Sequence, residues 1–246
     1  MINTPTMFLK NIYSILIISL AFISCKNEVE TPKVIYESEK EKVDFQKIDS
    51  TEIKIADLPI LLKGSDFLIH PIGDVHVYNT GNSKYGSSKT KHISYKVSNY
   101  SSPEITGYLS NIMFQHKDSL DLKPLTNNKM QIQSITFLDE FALKTGKKLL
   151  VYSLVDKDTN RDGKYDTNDI KALYISNADG SNFTKLTPEF QELLDWNIIL
   201  DKNRLYFRSI EDINKNGEFD SNDTINYYYI DLSQDKWELE TYSPLK

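Results

Sequence analysis

The chain of 246 residues has only one cysteine, Cys25, so it cannot form an intramolecular disulfide. Basic residues do not dominate either, because 29 Lys and Arg stand against 35 Asp and Glu, a formal net charge of −6. This balance, without an Arg-rich stretch, argues against a nucleic-acid binder. No apolar run reaches the roughly twenty residues of a membrane-spanning helix. Stabilising cross-links must therefore come from elsewhere, and bound metal is one candidate.

Motifs of common hydrolases are also missing. The sequence has no H-E-x-x-H zinc motif and no G-x-S-x-G turn around a nucleophilic serine. Its four histidines are His70, His76, His92 and His116. Because a proline and a glycine separate His70 from His76, we interpret them as surface or turn residues rather than ligands of a shared metal.

Two other segments favour structural roles. Residues 81–88 resemble a phosphate loop, but Ser87 stands where the lysine belongs, which predicts a hairpin tip. Asp139 and Glu140 are adjacent and would point apart on a strand, so we interpret them as an exposed turn before Phe141. Whether the chain is an enzyme stays open, although the sequence favours a non-enzymatic protein.

The chain does contain one specific pattern, and it occurs twice, 54 residues apart. The first copy, residues 158–169, is D-T-N-R-D-G-K-Y-D-T-N-D, and the second, residues 212–223, is D-I-N-K-N-G-E-F-D-S-N-D. Both fit D-x-[DN]-x-[DN]-G, in which oxygen-bearing side chains alternate and a glycine at the sixth position permits a sharp turn. Calcium takes six to eight oxygens, which this spacing can supply.

We therefore expect two calcium ions, one in each loop. The predicted ligands of the first are Asp158, Asn160, Asp162, the Lys164 carbonyl, Asp166 (directly or through water) and Asp169. Those of the second are Asp212, Asn214, Asn216, the Glu218 carbonyl, Asp220 and Asp223. The alternative is that both segments are polar turns that hold no ion.

The loops resemble those of EF-hand and dockerin proteins over about 24 residues, with two departures. The twelfth position is aspartate, Asp169 or Asp223, where the EF-hand pattern has a bidentate glutamate, which weakens the expected affinity and leaves selectivity over Mg²⁺ open. The flanking runs, K-L-L-V-Y-S-L-V and A-L-Y-I-S around the first loop and R-L-Y-F-R-S-I and N-Y-Y-Y-I-D-L around the second, predict strands rather than helices.

The amino terminus predicts export. A lysine at position 10 precedes a short apolar run, residues 12–23, which is typical of a signal peptide. The F-I-S-C that follows resembles a bacterial lipobox, although Phe22 is larger than the family prefers. The resemblance implies cleavage after residue 24 and lipid on Cys25; a plain signal with an incidental cysteine is the alternative. The K-N-E-V-E that follows is similar to surface-export tags of Bacteroidetes lipoproteins.

Beyond Cys25, residues 25–51 are charged and predict a tether, with one early strand at 43–48. Residues 52–246 predict a β domain with strands near 52–56, 66–72, 75–78, 92–97, 107–115 and 131–137 and on both sides of each loop. The best helical candidate is residues 188–194. The aromatic residues predict core packing, but Tyr227, Tyr228 and Tyr229 must alternate between two faces of one strand.

The carboxyl-terminal 130 residues resemble TolB-type propeller repeats. L-T pairs at 125–126 and 186–187 close successive units, and Trp196, Asp201 and Leu205-Tyr206-Phe207 occupy family positions, while the family's S-P-D-G turn is replaced by L-D-K-N at 200–203. The resemblance implies an all-β fold, a small propeller-like array of antiparallel blades, closed or incomplete. Repeat units near 131–187 and 193–246 would each carry a calcium loop between their second and third strands.

The sequence thus predicts a calcium-binding lipoprotein of the outer membrane, at its periplasmic face or on the cell surface. Its function would be non-enzymatic, as a binding or scaffold module for a protein or glycan. The alternative is an envelope hydrolase of glycan or peptide with an unrecognised site.

Overall fold

A computed structural model describes residues 31–36, 53–79 and 91–245. The predicted signal peptide, Cys25, the early strand at 43–48 and the hairpin tip at 81–88 lie outside these residues. Thr31–Lys246 form one compact unit.

Short strands rich in β-branched and aromatic residues form most of the regular secondary structure in the described chain, as their composition favours. The first eight are β1 (Lys54–Ala56), β2 (Ile60–Leu61), β3 (Phe67–Asp74), β4 (His76–Asn79), β5 (Lys91–Ser94), β6 (Ser98–Ser101), β7 (Glu104–His116) and β8 (Leu122–Pro124). The others are β9 (Gln131–Phe137), β10 (Leu149–Val155), β11 (Ala172–Asn177), β12 (Thr184–Lys185), β13 (Gln191–Ile199), β14 (Arg204–Glu211), β15 (Thr224–Asp231) and β16 (Glu240–Thr241).

The described strands form three antiparallel sheets. The largest has ten strands, with β1-β3-β7-β9-β10-β11-β12 as its main path and with β2, β6 and β8 pairing at its side. The second has the order β13-β14-β15-β16, and the third is the β4–β5 hairpin. The all-β antiparallel expectation is confirmed. None of these sheets closes on itself, and a propeller arrangement is not shown.

Strand β10 is buried on both faces, which shows that it lies at the centre of the domain. Leu150, Tyr152 and Leu154 pack into one hydrophobic cluster with side chains of β3, β7 and β9. Leu149 and Val151 point the other way, into a second cluster that contains the inward residues of β11, β13, β14 and β15. The second cluster therefore joins the ten-stranded sheet to the four-stranded one.

The helical prediction was wrong. Glu189 and Phe190 are in a turn, and residues 191–194 begin β13, which pairs with β14 from end to end. Among the described residues the α-helix is α1 (Asp139–Thr145), which begins at the pair that we had interpreted as an exposed turn. It buries Phe141 and ends at Gly146, whose φ of 78° suits a residue without a side chain. Within the described residues, no helix is long and apolar enough to cross a membrane.

Candidate metal centre

Each of the two predicted calcium loops connects a pair of neighbouring antiparallel strands. Residues 158–169 join β10 to β11, and residues 212–223 join β14 to β15. The prediction that strands rather than helices flank both loops is confirmed. Each loop also lies in the second connection of four strands that pair consecutively, β9 to β12 in one sheet and β13 to β16 in the other.

In the first loop, side-chain oxygens from alternate positions accept hydrogen bonds from backbone amides of the same loop. The Asp162 amide donates to Asp158 Oδ1 at 3.1 Å and to Asn160 Oδ1 at 2.9 Å. The Gly163 amide donates to Asp158 Oδ2 at 2.8 Å, and the Lys164 amide donates to Asp162 Oδ1 at 2.8 Å. Oxygens of three predicted ligands are therefore held close to one short stretch of backbone.

Asp169 closes the first loop from inside. Its carboxylate is fully buried, and Oδ1 accepts from the amides of Thr159 at 2.6 Å and Asn160 at 3.1 Å. Its Oδ2 accepts from the Asp166 amide at 3.1 Å. Burial raises the pKa of the Asp169 carboxyl, while these hydrogen bonds act in the opposite direction.

The second loop repeats the same network. The Asn216 amide donates to Asp212 Oδ1 at 3.2 Å and to Asn214 Oδ1 at 2.8 Å, and the Gly217 amide donates to Asp212 Oδ2 at 2.7 Å. The Glu218 amide donates to Asn216 Oδ1 at 2.8 Å. The two sequences, which are identical at only half of their twelve positions, thus give the same arrangement of oxygens.

The backbone of the two loops is also alike. Arg161 and Lys215, at the fourth position, have φ of 60° and 58°, and Gly163 and Gly217, at the sixth, both have φ of 84°. Such left-handed conformations are favourable mainly for glycine. The pattern has glycine at the sixth position because the backbone there is left-handed in both loops.

The loops differ at the last position. Asp223 Oδ2 accepts from the Asp220 amide at 2.9 Å, as its counterpart does in the first loop. Its Oδ1, however, is buried and has no hydrogen-bond partner. A buried carboxylate oxygen without a partner is costly, and a cation is one way to compensate it. At the twelfth position, the second loop therefore has a buried carboxylate oxygen that no backbone amide already uses.

The predicted ligands of both loops are of the type that calcium prefers, since all are carboxylate, amide or carbonyl oxygens. In the part of the chain that the structure describes, no group of three or more His, Cys, Asp or Glu side chains is placed to hold a metal. A calcium site in either loop would accordingly need the asparagine amides and the backbone carbonyl of Lys164 or Glu218 as well. Occupancy by calcium stays a prediction.

A short amino-terminal segment, residues 31–36, lies against both loops. The Lys33 amide donates to the Asn168 carbonyl at 3.1 Å in the first loop, and the Val34 amide donates to the Gly217 carbonyl at 3.1 Å in the second. The Ile35 amide returns to the first loop, to the Thr159 carbonyl at 2.8 Å. Sequence reasoning placed this segment in the charged tether and missed its contact with the loops.

Side chains of this segment add to its attachment. Val34 is buried, and Lys33 pairs with Glu218 at 3.3 Å. Burial raises the pKa of the Tyr36 hydroxyl to about 12, and the negative charge of Asp212 makes the second largest contribution. The only sequence signal was the apolar triplet V-I-Y inside a charged stretch.

The other candidate residues do not assemble into a site among the described residues. His70 Nε2 lies 2.9 Å from Gln115 Oε1, and His116 Nδ1 lies 3.9 Å from Asp118. The side chains of His76 and His92 are outside the described part, as are residues 81–88.

The three consecutive tyrosines of β15 alternate as expected. Tyr228 is buried, and its hydroxyl donates to Gln191 Oε1 at 3.1 Å. Tyr227 and Tyr229 lie on the opposite, outer face of the four-stranded sheet, where Tyr242 packs against both. From the sequence we expected most aromatic residues in the core and at least one of these three tyrosines at a surface or groove, but we did not predict their cluster with Tyr242.

No protein-family model matches the chain, and neither a curated protein nor a solved structure matches it significantly. The interpretation of the loops therefore depends on their own geometry.

Proposed function

We propose that this chain is a calcium-binding lipoprotein of the bacterial cell envelope. Its β domain would act as a non-enzymatic binding or scaffold module for a protein or glycan. Lipid on Cys25 would hold it at the outer membrane, on the periplasmic face or the cell surface.

The observation that carries the calcium proposal is the repeated hydrogen-bond network of the two loops. Asp158, Asn160 and Asp162 in the first loop, and Asp212, Asn214 and Asn216 in the second, turn their oxygens inward through the same backbone amides. The first set contains two carboxylates, whose like charges repel, and the second contains one. A divalent cation would offset that repulsion in the first loop and would bind the inward oxygens of both.

The bridging segment gives calcium binding a structural consequence. Residues 31–36 make backbone hydrogen bonds to both loops, so ordering either loop also orders the binding surface for this segment. We infer that the two ions stabilise the attachment of residues 31–36 to the two loops. The finer fold proposal, TolB-like blades with a calcium loop between the second and third strands, has the consecutive pairing of β9–β12 and β13–β16 in its favour.

Isothermal titration calorimetry with calcium tests the proposal. The parent protein should bind two ions, and Asp162→Ala and Asp212→Ala should each bind one, because each variant removes an inward carboxylate from one loop. Asp118→Ala, which removes an exposed carboxylate outside the loops, is the matched control and should still bind two. Equal binding by all four proteins, or no binding by the parent, would show that the loops are only turns.

A further inference from the structure

The outer face of the four-stranded sheet carries an aromatic and charged surface that the calcium loops do not explain. Strand alternation sets it up, because Leu205 and Phe207 of β14 face the core while Tyr206 and Arg208 face outward. The register places Tyr206 opposite Tyr229 and Arg208 opposite Tyr227 on β15.

Four tyrosines make one contiguous cluster on this face. The Tyr242 ring lies 5.4 Å from that of Tyr206, 5.7 Å from Tyr227 and 6.2 Å from Tyr229, measured between centroids. The rings of Tyr206 and Tyr229 are 5.5 Å apart. Tyr242 is 38% exposed, so the cluster reaches solvent instead of forming a second core.

A paired arginine and aspartate lie beside the rings. Arg208 Nε donates to Asp195 Oδ1 at 2.8 Å, and Arg208 Nη2 donates to Asp195 Oδ2, which gives a planar two-bond pair. The pair offers remaining N–H donors and carboxylate lone pairs side by side while its two charges cancel.

Between these groups is an open groove of about 390 Å³. Its lining includes Asp195, Asn197, Ile199, Tyr206, Arg208 and Tyr242. Ligand sites of this size combine apolar and aromatic surface with a few polar groups that fix orientation. Exposed aromatic surface of this kind also tends to mark an interaction site, because leaving it in water is unfavourable.

The chemistry of the lining favours a sugar over other ligands. A pyranose ring has an apolar C–H face that can stack on a tyrosine, and a rim of hydroxyls that both donate and accept. The Asp195–Arg208 pair matches such a rim without requiring a charge from the ligand, whereas an anionic or cationic ligand would have to compete with the pair. A peptide added as a strand would need a free strand edge, which the face of a paired sheet does not offer.

We propose that this groove binds a neutral saccharide. The proposal builds on the proposed function as a binding module and names the ligand class of that module, but it does not require calcium in the loops. Tyr206 and Tyr242 would provide the stacking surface, and Asp195 and Arg208 would hydrogen-bond to sugar hydroxyls.

Native affinity electrophoresis of the full-length chain tests the proposal. The probes are four neutral polysaccharides in the gel (hydroxyethyl cellulose, xylan, galactomannan and glycogen), with polygalacturonate as the acidic comparison. At least one neutral polymer should retard the parent protein. The apparent affinity obtained from this retardation should fall at least about tenfold in Tyr206→Ala and Tyr242→Ala, because each variant removes a central aromatic contact.

Matched variants separate ring stacking from loss of fold. Tyr108→Ala removes a tyrosine that is 56% exposed on β7 in the other sheet, and it should bind like the parent. Tyr242→Phe keeps the ring and should retain most of the binding that Tyr242→Ala loses. Circular dichroism spectra and cooperative urea unfolding like those of the parent show that the variants are still folded.

Several results would overturn the proposal. These are no retardation by any neutral polymer, retardation that the Tyr206 and Tyr242 variants leave unchanged, and retardation by polygalacturonate alone. Binding of a proline-rich peptide in fluorescence anisotropy that Tyr242→Ala abolishes, without any saccharide binding, would assign the groove to protein instead. If calcium still binds in any of these cases, the saccharide proposal fails while the calcium proposal stands.

Discussion

Thr159 distinguishes the two loops at the level of single residues. It occupies the second loop position, and its hydroxyl lies 2.8 Å from the Lys33 carbonyl and 3.2 Å from Asp169 Oδ1, while it also accepts from the Ile170 amide at 3.1 Å. The equivalent residue of the second loop is Ile213, which is 55% exposed. One hydroxyl thus links the loop, its buried carboxylate and the bridging segment in the first copy only.

Replacing Thr159 with valine keeps the shape and removes these hydrogen bonds. Because Thr159 is buried, the change leaves polar partners unsatisfied and should lower the free energy of unfolding by about 1–3 kcal/mol. Ile213→Val is the matched control at the same loop position and should stay within about 0.5 kcal/mol of the parent. Urea unfolding without calcium measures the free energy of unfolding of both variants. If Thr159→Val lowers it no more than the control does, the Thr159 hydroxyl does not stabilise the first loop.

At the scale of elements, the two loops are alike in backbone but differ in what covers them. A Cβ placed on Gly217 would lie 2.5 Å from the Val34 carbonyl oxygen, whereas one on Gly163 meets nothing within 4 Å. Both glycines have the same left-handed φ of 84°. They therefore form a natural pair for measuring how firmly the bridging segment is attached.

Gly163→Ala should lower the free energy of unfolding by about 1–2 kcal/mol, because alanine is strained in the left-handed conformation. Gly217→Ala should lower it by the same amount and by about 1–3 kcal/mol more, because the new methyl group must displace the segment at Val34. Urea unfolding gives both values. Equal costs would mean that the segment is not held against the second loop in solution.

The elements that the sequence predicted well are those with local signals. Residues 131–137 are rich in β-branched residues and form β9 with the predicted bounds, and the oxygen pattern located both loops and their flanking strands. The information in these cases lies within a dozen neighbouring residues.

Elements determined by distant partners were missed. P-E-F-Q-E-L-L has good helix formers, yet residues 191–194 are in β13 because pairing with β14 and burial of Leu193 outweigh local propensity. The helix α1 has only two turns, too few for a clear 3.6-residue period. The attachment of residues 31–36 depends on carbonyls more than 120 residues away, which no local pattern encodes.

At the scale of the whole molecule, two sheets share one core cluster, and neither oxygen-rich loop contributes a residue to the lining of the aromatic groove. Leu149 and Val151 from the ten-stranded sheet meet Phe207 and Ile230 from the four-stranded sheet. The chain has no disulfide to tie these sheets together, so packing and, in our proposal, the loop ions supply the cross-links.

Membrane attachment is also a property of the whole molecule. If Cys25 carries lipid, cells that express the chain with a fatty-acid analogue should label the parent protein and not Cys25→Ser. The variant should also leave the membrane fraction, because the anchor is gone. Equal labelling of both proteins would rule out lipidation at this cysteine.

Calcium should bind to the folded domain and stabilise it. Extracellular calcium modules have dissociation constants of roughly 10⁻⁴–10⁻³ M. At about 1 mM calcium, linkage then gives roughly 0.4–1.4 kcal/mol for each site if the unfolded chain does not bind. For a domain of this size, that corresponds to a rise of a few degrees in melting temperature.

The most direct test is the melting temperature against calcium concentration, with chelator as the zero point, for the parent, Asp162→Ala and Asp212→Ala. We expect calcium to raise the melting temperature of the parent by a few degrees. Each variant should stay folded in chelator and show about half of that rise, because one loop remains intact. If the parent protein melts at the same temperature with chelator and with millimolar calcium, the loops do not bind an ion that stabilises the fold.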